Sequence, residues 1–203
     1  MTLAETQVRA KAPPIDEDPR PHWFTRDEYF RLDELGFFRG KRVERFEGRI
    51  LDMSPQNNPH FLSVSLVASA LQSAFVGEYW IRSQGPLRIG EGSDPEPDVS
   101  VVLGQMRQHK QTPTTAILLV EVADSSLSYD RNEKSSLYAK AGVQEYWIVN
   151  IVNNCVEVMR DPIADSTALL GFRYKSIVTF RPPEFISPLA NPKAKIPIAD
   201  LLP

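Results

Sequence analysis

Residues 116–122 read Ala-Ile-Leu-Leu-Val-Glu-Val, an apolar run interrupted once, at Glu121. The length suits a strand, and both faces are apolar, which predicts a central strand with structure packed above and below it. Glu121 closes the run AILLVE and is expected at the strand's end. An acid in this setting is costly unless it is paired, hydrogen-bonded or bound to a metal. For one isolated acid, reaching solvent or pairing with an arginine is the simpler reading, so its neighbours decide the matter.

Downstream, Asp130 to Ala141 carries the spacing of a helix stopped by Gly142, with Leu137 and Ala141 facing the core. Glu145 to Asn150 (EYWIVN) follows as a strand, Asn153-Asn154 as a turn, and Cys155 to Arg160 as the returning strand. Phe172 to Phe180 reads as one more strand. The tail beyond it is proline-rich and is expected to wrap the surface.

Upstream, Val99 to Leu103 reads as a strand, with shorter ones at Trp80 to Arg82 and Leu87 to Ile89. Before these, apolar residues recur at helical spacing from Phe61 to Phe75, with Asn58 as N-cap and Pro59 in the first helical position. Val43 to Phe46 and Arg49 to Met53 form a hairpin around Glu47-Gly48. Thr25-Arg26-Asp27-Glu28 matches a capping box and opens a helix that ends at Gly36. The order of helix, hairpin, helix, strands, helix and strands predicts an α/β fold of the α+β type, a mixed sheet flanked by helices. Residues 1–21 hold Pro13, Pro14, Pro19 and Pro21 and read as a flexible arm. Residues 22–203 read as one domain.

The chain has 203 residues, 42% hydrophobic and 24% charged, which fits a single globular domain with a real core. No apolar run approaches the roughly 20 residues that cross a membrane, and the N-terminus lacks the apolar core of an export signal. Cys155 is the only cysteine, so no internal disulfide can form, as expected of a cytoplasmic protein. Net charge is −3 and the pI about 5.7. That counts against tight, metal-free binding of nucleic acid. Local basic groups remain at Arg39, Lys41, Arg42 and Arg45 and at Arg107, His109 and Lys110, each read first as solvated surface.

Four positions concentrate the chemistry: Glu44, Asp98, Glu121 and Lys134. Asp98, fixed behind Pro97, stands at the mouth of its strand, and Glu121 is expected at the end of a neighbouring one. Two such carboxylates can hold a hard cation such as Mg²⁺ (or Mn²⁺), and a lysine beside them can steady charge on a phosphate. Lys134 lies one helical turn after Asp130, a spacing that suits a plain surface ion pair. In a site, Asp130 would orient Lys134. His60 opens a helix and can serve as a ligand, a proton acceptor or polar lining. Gln84 is a candidate substrate contact. Tyr138, one turn beyond Lys134, is a candidate for lining the site, although it and Tyr146 suit the core better than base stacking.

The stretch Glu96-Pro-Asp-Val-Ser-Val-Val102, and the block from Leu118 through EVADSS and YDRNEKSSLYAKAGVQEYWIVN to Asn150, resemble the Uma-type restriction endonucleases of bacteria. These form a branch of the PD-(D/E)XK nuclease superfamily. RVERFEGRILDMSP followed by His60 is similar to that family's N-terminal hairpin and histidine. The resemblance spans roughly Phe24 to Arg160. It implies a restriction-endonuclease-like core, with a four-stranded mixed sheet extended by further strands. It also implies metal binding by Asp98 and Glu121, with the main-chain carbonyl of Ala123 as an extra ligand and Glu44 as an additional acid. Ala123 stands where the superfamily's usual lysine would fall, and Lys134 fits a position migrated to the helix. Asn150 replaces a frequent aspartate. The implied activity is Mg²⁺-dependent hydrolysis of DNA, by a homodimer that addresses two strands. A non-catalytic nucleic-acid-binding protein on the same fold, or a hydrolase of another phosphoester, stays open.

Overall fold

The computed structural model describes residues 19–203, so the arm expected over 1–21 falls almost wholly outside the described residues. The first helix, α1 (Arg26–Glu34), starts as its capping box requires: Thr25 and Glu28 bond each other's backbone N–H groups. β1 (Val43–Phe46) and β2 (Arg49–Asp52) pair antiparallel around Glu47-Gly48. Both turn residues take positive φ, 45° and 75°, the backbone a tight two-residue hairpin needs. α2 (Asn58–Ala74) is capped by Asn57, whose side chain accepts from the His60 N–H at 3.0 Å. The expected cap, Asn58, is instead the first helical residue. Of two adjacent asparagines, the one with extended backbone captures the free N–H.

Six strands form one mixed sheet. In chain order they are β3 (Tyr79–Ser83), β4 (Val99–Leu103), β5 (Leu118–Ala123), β6 (Glu145–Asn150), β7 (Cys155–Ala164) and β8 (Phe172–Phe180), and they neighbour one another in that same order. Only β5 and β6 run parallel. A parallel pair needs a crossover, and residues 127–140 supply it as α3 (Leu127–Tyr129), a π-helical turn (Asp130–Lys134) and α4 (Ser135–Lys140). The helix therefore begins before the expected Asp130 and changes its winding at the residues of interest.

All six residues of β5 are buried, as its two apolar faces require. Leu118, Val120 and Val122 pack with Val64, Val67 and Leu71 of α2. Leu119 and Ala123 pack on the other face with Leu137, Tyr138 and Tyr146. Glu121 shares that second face by strand alternation.

Two expectations need correction. Leu87 to Ile89 is not a strand: Ile89 bonds Ser93 across its own loop, and Leu87 N–H donates to the Pro95 carbonyl. Prolines at 86 and 95 interrupt any longer ladder there. The tail does not merely wrap the surface. β9 (Phe185–Ile186), β10 (Ile196–Pro197) and the short helix Ile198–Leu201 close the α2 side of the core, with Ile186, Ile196, Ile198 and Leu201 buried. Among the described residues, no helix is long and apolar enough to cross a membrane.

Candidate active site

The antiparallel register that pairs Val99 with Val120 carries Asp98 alongside Glu121 on one face of the sheet. Glu121 lies inside β5, two residues before its end, and not at the terminus the sequence suggests. Asp98 is held by three donors. The Val122 N–H reaches Oδ2 at 2.8 Å, His60 Nε2 lies 3.2 Å from the same oxygen, and Gln56 Nε2 reaches Oδ1 at 3.5 Å. Burial works to raise this carboxyl, but His60, the Val122 N–H and Lys134 together bring it below the ordinary aspartate value. It therefore stays ionised.

The π-helical turn sets the geometry around Glu121. Its wider winding turns both Asp130 and Lys134 inward, where each is buried. Lys134 Nζ donates to Glu121 Oε1 at 2.9 Å and to Glu44 Oε1 at 3.4 Å. Tyr138, four residues on, donates to the same Glu121 oxygen at 2.6 Å. Glu44 arrives from β1, where strand alternation sends it opposite to Arg45. Glu44, Glu121 and Lys134 are each only 3% exposed, so Lys134 is a buried cation and not a surface partner of Asp130.

Charge balance here is uneven. Burial, then Asp98, Asp130 and Glu44, push Glu121 well above the ordinary glutamate value against the pull of Lys134. Burial opposes the charged form of Lys134, yet Glu121, Glu44, Asp130 and Asp98 outweigh it and hold the ammonium well above its usual value. Asp130 makes its close bond to Ser126, whose hydroxyl donates at 2.5 Å. It faces Lys134 through charge, and burial pushes it up to about 6.

These carboxylates and Lys134 line a cleft of about 460 Å³ together with His60, Arg42, Glu96 and Asp124, whereas Tyr138, expected to line the site, is fully buried and reaches it only through Glu121. Asp98 and Glu121 present hard oxygen donors to the cleft, and the bonds from Lys134 and Tyr138 both fall on Glu121 Oε1. Among the described residues, no three His, Cys, Asp or Glu side chains gather as a self-sufficient cage. Two carboxylates with room for water and phosphate oxygens suit Mg²⁺, which dehydrates reluctantly.

Two candidates fall elsewhere. The Ala123 carbonyl accepts the Ile151 N–H, so it points towards β6 and away from Asp98. The main chain of Val122, by contrast, faces Asp98. Gln84 does not line the cleft with its side chain, and meets the site only through its backbone N–H, which donates to the Asp98 carbonyl at 3.0 Å. Among the basic groups, Arg45 is not solvated. It is 1% exposed and bonds Asp94 at 2.6 and 2.9 Å, while Arg26 takes the other Asp94 oxygen at 2.8 Å.

Glu96, Asp124 and Asn57 were not singled out in the sequence. Glu96 carries a signal in hindsight, being held between Pro95 and Pro97 beside Asp98. Asn57 Nδ2 donates to Asp124 Oδ2 at 2.5 Å across 67 residues, a contact no local pattern announces.

The model of the family described as "Uma2: Putative restriction endonuclease" matches residues 26–199. The fold is similar to that of a crystal structure described as "a putative nuclease belonging to DUF820" from Anabaena variabilis. The TM-score is 0.66 with 17% identity, over 88% of this chain and 97% of that one. No functionally curated protein matches the chain.

Proposed function

We propose that this chain, which belongs to the Uma2 family, is a metal-dependent endonuclease that hydrolyses DNA phosphodiester bonds. The observation that carries the reading is Asp98 set beside Glu121 on adjacent strands, with the buried Lys134 bonded to Glu121. Asp98 and Glu121 would hold Mg²⁺ or Mn²⁺. When bound, such an ion supplies a water of lowered pKa and neutralises the phosphate.

The chain's own residues do the rest. His60 and the Val122 N–H fix Asp98 in one orientation. Lys134, charged and desolvated, faces the charge that develops on the phosphate as water attacks, where a preorganised cation acts strongly. Glu44 shares Lys134 with Glu121 and keeps the ammonium centred between them. Arg42, exposed at the rim, meets an incoming backbone phosphate. Cytoplasmic DNA is the substrate in this reading, and a homodimer is the assembly that addresses two strands.

The test is nicking of supercoiled plasmid by the purified protein in Mg²⁺ or Mn²⁺, beside Glu121→Gln and an EDTA control. Cleavage lost in both controls supports the reading. No cleavage in either metal, on single- or double-stranded DNA, would replace it with a non-catalytic binding role.

A further inference from the structure

Tyr138 is fully buried, yet its hydroxyl makes one of the shortest contacts of the site, 2.6 Å to Glu121 Oε1. Lys134 reaches that same oxygen at 2.9 Å but divides its charge with Glu44. The tyrosine hydroxyl is therefore the donor committed to Glu121 alone. The terminal torsion of a glutamate is broad and can present either oxygen. Two donors one helical turn apart, both on Oε1, remove that freedom and leave Oε2 as the oxygen for a ligand in the cleft that Glu121 lines.

The ring is itself braced. Tyr146 packs edge-on against it with centroids 5.1 Å apart and donates its own hydroxyl to the Asp130 carbonyl. Tyr174 lies beyond Tyr146 and donates to the Val143 carbonyl at 2.9 Å. Of these three tyrosines, Tyr138 alone touches Glu121, and Tyr174 spends its hydroxyl on the main chain.

We propose that Tyr138 is a positioning residue that fixes the Glu121 carboxylate so that one oxygen stays presented to the metal. This rests on the metal-dependent reading above. The test titrates Mn²⁺ alone into the full chain, without DNA, for the unaltered protein, Tyr138→Phe and Tyr174→Phe, with thermal unfolding alongside. Each variant loses one buried hydroxyl from these tyrosines, but only Tyr138 touches Glu121. Tyr138→Phe should weaken Mn²⁺ binding roughly 10- to 100-fold, as loss of a partner behind a metal ligand does. Tyr174→Phe should lower the unfolding temperature and leave Mn²⁺ affinity unchanged.

Unchanged affinity in Tyr138→Phe, or equal weakening in both variants, overturns the proposal. As a measurement that needs no substitution by Phe, 3-fluorotyrosine placed at position 138 alone should shift its ¹⁹F resonance when Mg²⁺ is added. A resonance that stays put overturns the proposal as well. If the unaltered protein neither binds Mn²⁺ nor cleaves, the metal reading itself fails and takes this inference with it.

Discussion

Arg131 grips Glu157 with two hydrogen bonds, Nε to Oε2 at 2.9 Å and Nη2 to Oε1 at 2.6 Å, and so ties the π-helical turn to β7. Asn150 adds a third donor to the same carboxylate at 3.2 Å. The turn that delivers Lys134 is thus anchored to a strand two places along the sheet from Glu121. Arg131 is about half exposed while Glu157 is buried. A double-mutant cycle with Arg131→Gln and Glu157→Gln, read by urea unfolding, should give a coupling of about 1 kcal/mol, the upper range for a solvent-screened pair.

The same pair predicts a pH dependence. Burial alone would raise Glu157, but the hydrogen bonds from Arg131 and Asn150 bring it below the ordinary glutamate value. A carboxyl lowered by folding adds stability above its unfolded pKa, and that contribution fades as pH falls through the folded value. Unfolding free energy should therefore drop more steeply on acidification for the unaltered protein than for Glu157→Gln.

Lys134→Ala should leave Glu121 and Glu44 buried together without their cation. Breaking a buried pair from one side costs roughly 3–5 kcal/mol. At conditions where the variant remains folded, cleavage should fall by about 100-fold or more, the scale of losing one preorganised charge partner. Mn²⁺ affinity should not weaken, because both carboxylates are freed. Equal losses of rate and affinity would make Lys134 a structural partner only.

Asp98→Asn and Glu121→Gln preserve shape and should reduce nicking to background while keeping a cooperative unfolding transition. The amides are the better variants because both acids are buried, and alanine would also open space around them. Either variant retaining full activity would remove the metal site from this cleft.

Arg45→Ala should destabilise the protein by roughly 3–5 kcal/mol without touching the cleft directly, since it strips Asp94 of its main buried partner. Denaturant unfolding measures this, and a loss below about 1 kcal/mol would mean Arg26 alone suffices for Asp94.

Much of this was legible in the sequence where local rules act. The capping box at Thr25, the Glu47-Gly48 turn and the doubly apolar run at β5 follow from adjacent residues alone. That Asp98 and Glu121 each stand at or within a strand is legible too, whereas the pairing of those two strands, Val99 with Val120, is a long-range fact. What escaped depends on distant partners: Arg45 with Asp94, Asn57 with Asp124, and the tail against α2. Lys134 is expected in the site, but the π-helical winding that turns it inward is not legible locally. A π-helical turn has no strong residue preference, so the spacing to Asp130 by itself suits a surface pair.

The site is assembled from pieces of very different chain separation. Lys134 and Tyr138 lie 13 and 17 residues from Glu121, within one strand–helix–strand unit, whereas Glu44 lies 90 residues from Lys134. Closing the short loop costs less entropy than closing the long one. During folding, the lysine should meet its first carboxylate early and its second late, when the β1–β2 hairpin docks. Native-state hydrogen exchange would read this directly, as hairpin amides that open at lower free energy than those of β5 and β6.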